Sequence, residues 1–144
     1  MYTDEKLKRI LKENMTIAVV GCSRYPQKAA HTVPKYMKEQ GYEIIPVNPF
    51  ADQILGEKVH KSLSEIKKPI DIVNIFRPSE QCLEVVKEAV NLKPKVIWMQ
   101  LGIKNEEAAQ LAEKNGIETI MDKCILVEHK NLIKKITHSA SNIP

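Results

Sequence analysis

Thr16-Ile-Ala-Val-Val-Gly-Cys-Ser-Arg24 is the stretch whose reading decides the fold. Its apolar run, Ile17 to Val20, is too short for a helix and too uniformly hydrophobic for a strand with one wet face. It reads as a strand buried on both faces of a parallel sheet. Beyond it, Gly21 lets the backbone turn sharply, Ser23 offers a hydroxyl and Arg24 brings a fixed positive charge. These residues stand at the strand's carboxyl end, where open α/β sheets hold anionic ligands.

Working outward, the chain alternates helical and extended patterns. Thr3 to Asn14 reads as an amphipathic helix, capped by Thr3, with Asp4 and Glu5 in its first turn and Leu7, Ile10 and Leu11 on one face. After the loop Cys22 to His31, Thr32 is the expected cap of a second helix, with Pro34 in its first turn and Gly41 as its stop. Tyr42 to Val47 is a second strand ending in Asn48-Pro49, with Pro46 expected near its end because proline cannot donate to a ladder. Ile54 to His60 reads as a turn into a short third strand, and Ser62 to Ile66 as a brief helical turn. Ile70 to Phe76 is the fourth strand, and Arg77-Pro78-Ser79-Glu80 opens a helix that Lys93-Pro94 ends. The fifth strand lies in Lys95 to Gln100, and Leu101-Gly102 turns out of it. Asn105 caps the next helix, Asn115-Gly116 closes it, and Ile117 to Met121 is the last strand. A helix is expected through about Lys135, then a polar, frayed tail from Thr137 to Pro144.

Composition narrows the function classes. The 144 residues, 43% hydrophobic, suit one domain spanning 1–144 with one good core. The formal charge is +4, but lysines and carboxylates are interspersed, so no block resembles a nucleic-acid arm and a small phosphorylated ligand explains the excess equally well. Cys22, Cys82 and Cys124 show no CxxC or His-rich spacing, which argues against a disulfide framework or a zinc site. Cys22 and Cys124 read as buried small hydrophobes rather than redox thiols. His31, His60, His129 and His138 are too scattered for a metal cluster, Trp98 reads as core, and Lys130, Lys134 and Lys135 read as a solvated face. No apolar run approaches the roughly 20 residues needed to span a bilayer, so a cytoplasmic protein without membrane or nucleic-acid partners is expected.

Strands alternating with helices imply right-handed crossovers and a parallel sheet covered on both sides. The expected architecture is a three-layer, Rossmann-like, doubly wound α/β fold with strand order 3-2-1-4-5-6. Its crevice lies at the switch point between the first and fourth strands. The lining is then Gly21, Ser23, Arg24, Asn48, Pro49, Phe76, Arg77, Gln100 and Gly102, with Lys28 close by and Asp122 and Cys124 more distant. A dinucleotide fingerprint needs three spaced glycines after the first strand and a carboxylate ending the second. Only Gly21 is present, and Asn48 stands where the carboxylate would be, so ordinary NAD binding is not expected. Arginine instead suits a ligand with extra phosphate, because its planar fork binds phosphate oxygens in pairs.

Five stretches together carry a family resemblance, running from about Thr16 to Leu132: Ala18-Val-Val-Gly-Cys-Ser-Arg24, Gly41-Tyr-Glu-Ile-Ile-Pro-Val-Asn-Pro49, Asp71-Ile-Val-Asn-Ile-Phe-Arg77, Trp98-Met-Gln-Leu-Gly102 and Met121-Asp-Lys-Cys124. The sequence resembles the stand-alone CoA-binding domain family, which is similar in turn to the CoA-binding domain of the succinyl-CoA synthetase alpha subunit. That resemblance implies coenzyme A across the crevice. The loop Gly21 to Arg24 would contact the pyrophosphate and ribose phosphate, Asn48-Pro49 would border the nucleotide, Phe76-Arg77 would close the opposite wall, and Gln100-Leu101-Gly102 would meet the pantetheine arm. CoA carries a charge of roughly −4, for which Arg24, Lys28 and Arg77 are a reasonable countercharge. Cys22 departs from the small or apolar residue expected there and leaves open a mixed disulfide with the sulfur of CoA, as does Cys124.

Arg77 has a plain alternative as a surface cation at a helix start, and Gln100 and Asn48 as residues that satisfy loop backbone. The synthetase resemblance would require a phosphorylated histidine and an ATP-grasp partner, for which these residues leave no room. No Ser-His-Asp, paired-carboxylate or metal constellation stands in for them. The expectation is a CoA or acyl-CoA binding protein without catalytic machinery, acting as carrier, sensor or regulator. The alternatives are a CoA-supplying subunit of a separately encoded acyl-CoA ligase, or an NADP-binding oxidoreductase, with a homo-oligomer or a ligase subunit as partner.

Overall fold

The computed structural model describes residues 2–134, and the tail expected over Thr137 to Pro144 lies outside them. The first helix, α1 (Asp4–Glu13), is capped as its sequence implies: Lys6 N donates to Thr3 Oγ1 at 3.1 Å, and Leu7, Ile10 and Leu11 are buried. Strand β1 (Thr16–Val20) then runs between β2 (Glu43–Val47) and β5 (Ile72–Ile75), parallel to both. With β6 (Val96–Met99) and β7 (Glu118–Ile120) they form a five-stranded sheet in the order β2-β1-β5-β6-β7. Side chains alternate across this sheet. Ile17 and Val19 pack against α1 and α2 (Ala29–Glu39), and with them Ile125 at the start of α5 (Ile125–His129). Ala18 and Val20 face α3 (Cys82–Ala89) and α4 (Glu106–Lys114). These are the three layers of a doubly wound α/β fold.

The third strand is reduced. Leu55 and Gly56 both take positive φ and fold β3 (Gln53–Ile54) back onto β4 (Glu57–Lys58) as a small antiparallel hairpin. Only His60 reaches the outer edge of β2, through a bridge to Val47. There His60 N donates to Pro46 O at 3.0 Å, and Asn48 N donates to His60 O at 2.9 Å. The N–H that Pro46 lacks would point to this same outer edge, so proline is tolerated in β2 and lengthening of the ladder is blocked. The five strands of the sheet keep their places in the doubly wound order 3-2-1-4-5-6, and the third place holds a bridge at His60 rather than a strand.

Helix α2 begins at Ala29, not beyond Thr32, and has no side-chain cap. Pro34 therefore falls inside the helix, where its missing N–H frees the carbonyl of Ala30. Ser23 N donates to that carbonyl at 3.0 Å, tying the loop after β1 to the helix. At the other end of the chain, α5 gives way to wider, π-type turns over Lys130–Lys134.

Candidate functional site

The carboxyl ends of β1, β2 and β5 meet around Gly21. Gly21 N donates to Val47 O at 3.0 Å, and Phe76 N donates to Val20 O at 2.8 Å. The glycine has φ +85°, and a Cβ on it would stand 2.3 Å from the carbonyl oxygen of Phe76. Both the left-handed conformation and the close approach require glycine here. Asn48 then bridges two strand ends: its Nδ2 donates to Cys22 O at 2.8 Å, and its Oδ1 accepts from Phe50 N at 2.7 Å. Ser23 is held on three sides, since besides its tie to Ala30 its Oγ accepts from Tyr25 N at 3.0 Å and its carbonyl accepts from His31 Nδ1 at 2.8 Å. A carbonyl only accepts, so Nδ1 of His31 carries the hydrogen.

These contacts shape an open cavity of about 500 Å³, lined by Gly21, Cys22, Ser23, Arg24, Lys28, Asn48 and Phe76. Tyr25 and Phe50 line it too, and neither was singled out in the sequence, although Phe50 directly follows Asn48-Pro49. Among the described residues no carboxylate lines this cavity. The charges of Arg24 and Lys28 are therefore uncompensated there. Arg24 is steered by its neighbour, with Nη2 donating to Tyr25 Oη at 3.1 Å and the guanidinium 5.2 Å from the ring centre.

The other expected residues are placed differently. Phe76 and Arg77 follow one another at a strand end and point to opposite faces. Arg77 accordingly lines a neighbouring cavity of about 410 Å³, together with Val20, Val47, Lys61 and the three carboxylates Glu80, Glu84 and Glu88. Lys61 is itself engaged, donating to Ala51 O at 2.8 Å and pairing with Asp52 at 3.1 Å. Pro49 is exposed beside Asn48. Gln100 is 2% exposed, its Nε2 donating to Asn74 Oδ1 at 2.6 Å inside the sheet. Leu101 is 69% exposed, and Gly102 N donates to Asp122 Oδ1 at 2.6 Å. None of Gln100, Leu101 and Gly102 lines either cavity.

Cys22 is wholly buried, and that burial pushes its thiol up to about 12, against a smaller opposing pull from the backbone of Ser23. It is a neutral thiol at physiological pH, a poor partner for disulfide exchange. Among the described residues no group of His, Cys, Asp and Glu could hold a metal ion, and no helix is long and apolar enough to cross a membrane. A further cavity, about 540 Å³, opens at the outer edge of β7, where Lys6, Lys104 and Lys123 face Glu106, Glu113 and Asp122. With its charges balanced it offers a polyanion no net attraction.

The fold is thus doubly wound α/β, with a cationic loop at the switch point of its sheet. The chain is a member of the CoA binding domain family, which matches it over residues 15–130. It is 49% identical over 124 residues to the uncharacterized protein YneT of Bacillus subtilis, covering 86% of this chain and 92% of that one. Its structure is similar to that of a hypothetical protein from Pyrococcus horikoshii, with a TM-score of 0.89 and 35% identity over 92% of this chain and 93% of the other. It is also 30% identical over 129 residues to the acetate-CoA ligase (ADP-forming) II subunit alpha of Pyrococcus furiosus. That match takes in 81% of this chain and 28% of the ligase subunit, so the chain spans little more than a quarter of that relative.

Proposed function

We propose that the protein binds coenzyme A, free or acylated, at the carboxyl-end crevice and has no catalytic machinery of its own, acting as a carrier, sensor or regulator. The observation that carries this reading is the acid-free cavity in which Arg24 and Lys28 surround Gly21 in a chain of the CoA binding domain family. The Gly21 to Arg24 loop takes the pyrophosphate, and Arg24 and Lys28 neutralise it and the ribose phosphate. Asn48 and Pro49 border the nucleotide. Phe76 forms the opposite wall, and Arg77 reaches the ligand from the adjoining cavity, where it also faces Glu80, Glu84 and Glu88. The turn Gln100 to Gly102 lies toward the pantetheine arm, through its backbone and Leu101, because the Gln100 amide is already spent on Asn74.

The likeness to a ligase subunit alpha favours a second reading, in which the chain supplies CoA to a separately encoded ligase subunit. Mass spectrometry of ligand released from the purified protein, with thermal shifts against CoA, dephospho-CoA, acyl-CoA, NADP and NAD, tests the first. Stabilisation by CoA is expected. Stabilisation by NADP alone would replace the reading with an oxidoreductase. CoA-dependent co-elution with a ligase subunit would establish the second reading.

A further inference from the structure

Phe50 is the most exposed of the large apolar side chains among the described residues, at 80%. A single exposed apolar residue is ordinary on a protein surface, but this one is set apart by its place. It lines the cavity that holds Arg24 and Lys28. It packs in neither core cluster, although the next residue, Ala51, is buried in one. Its backbone N–H is held by Asn48 Oδ1 at 2.7 Å, while the same amide's Nδ2 grips Cys22 O at 2.8 Å. One side chain thus fixes the turn bearing the ring to the loop bearing the cation. The ring stands at the mouth of a cationic cavity on anchored backbone. Of the other two aromatics lining this cavity, Tyr25 is already engaged with the Arg24 guanidinium and Phe76 is packed against the core.

We infer that Phe50 is the platform on which the purine base of the ligand stacks, and so the residue by which the site selects a nucleotide-bearing phosphate ligand over the same phosphate chemistry without a base. The inference rests on the CoA reading and adds to it a specificity residue. In CoA one ribose joins the base to the diphosphate. A diphosphate seated at Gly21, Arg24 and Lys28 therefore leaves the base at the rim of the same cavity. A phenyl ring has few torsions to freeze, so the exposed platform binds at low entropic cost. It reads the face of the base and needs no hydrogen bond to its edge.

The test compares three probes by isothermal titration: CoA, 3′,5′-ADP, which is the base-bearing end, and 4′-phosphopantetheine, which lacks the base. Phe50→Ala is expected to weaken CoA and 3′,5′-ADP alike by a factor on the order of 5 to 150, the scale of one base stacked on an aromatic ring. Affinity for 4′-phosphopantetheine should stay unchanged. Phe50→Trp should keep its affinity, and its added indole fluorescence should be quenched by CoA and 3′,5′-ADP but not by 4′-phosphopantetheine. If the native chain binds CoA and Phe50→Ala binds it within twofold as tightly, the platform is overturned while the CoA reading stands. If Phe50→Ala alters sedimentation and leaves CoA affinity intact, the ring is a contact between copies, and the inference again falls. If the native chain binds none of the three probes, the CoA reading falls and takes the platform with it.

Discussion

Gly21→Ala is the sharpest test of how the site is built. The new Cβ would meet the Phe76 carbonyl oxygen at 2.3 Å, a backbone atom that cannot rotate aside, on a residue with φ +85°. Adopting the left-handed conformation costs an alanine about 1 to 2 kcal/mol. Overpacking that forces β1 and β5 apart at their carboxyl ends adds about 1 to 3 kcal/mol. The expected loss is therefore about 2 to 5 kcal/mol, summed from those two effects. Gly116→Ala is the control, because its φ is +77° but nothing lies within 4 Å of the built Cβ. It should lose only the conformational part. Urea unfolding of both variants, read as the change in midpoint at constant slope, measures the difference directly. Equal losses would refute the close approach of the two strand ends and with it the geometry of the cavity. CoA affinity of whatever Gly21→Ala protein remains folded should fall as well, since the alanine displaces the loop that carries Arg24.

Three further outcomes are expected. Arg24→Ala and Arg77→Ala should each weaken CoA by about 1 to 3 kcal/mol, the scale for a hydrogen bond to a charged group, in calorimetric titrations; full affinity in both would show that the ligand lies elsewhere. Gln100→Leu should destabilise the fold by about 1 to 3 kcal/mol by stranding the buried Asn74 Oδ1, and Asn74→Leu combined with it should recover part of the loss in urea unfolding. Stability should fall as pH rises above 9, because the unfolded chain releases the Cys22 proton near the ordinary value of 9.0 while the folded chain keeps it until about 12. Its stabilising contribution is complete below the unfolded value and is lost on the way up to the folded one. Burial raises Cys82 and Tyr42 in the same direction, so Cys22→Ala should flatten that slope in part, in unfolding measured across the range.

β1 and β6 are readable because each carries a continuous apolar run, Ile17 to Val20 and Val96 to Met99, the mark of burial on both faces, and α1 and α4 because Thr3 and Asn105 cap them as short-range rules demand. Helix α2 starts at Ala29, ahead of the cap signal at Thr32. Lys28 offers no capping signal, and Pro34 reads locally as a first-turn residue. Only contact with Ser23, from a different segment, explains how the freed Ala30 carbonyl is satisfied. The third strand is reduced to a bridge for a similar reason: whether Ile54 to His60 pairs with β2 depends on the edge donor that Pro46 lacks and on the turn at Leu55 and Gly56, not on its own apolarity.

For the site, residue types at strand ends sufficed to bring out Gly21, Arg24 and Asn48, since a switch point and a polyanion make general demands on backbone freedom and charge. The partition of the lining was beyond that reading. Phe76 and Arg77 are adjacent in the chain yet face different cavities, Gln100 is buried against Asn74, and Phe50 stands exposed where its own polarity predicts burial. Local sequence therefore determined which segments extend, which coil and where charge gathers, because those follow from periodicity and caps within a few residues. Only the tertiary structure decided which side chains share a cavity, because that depends on strand register and on hydrogen bonds between segments far apart in the chain.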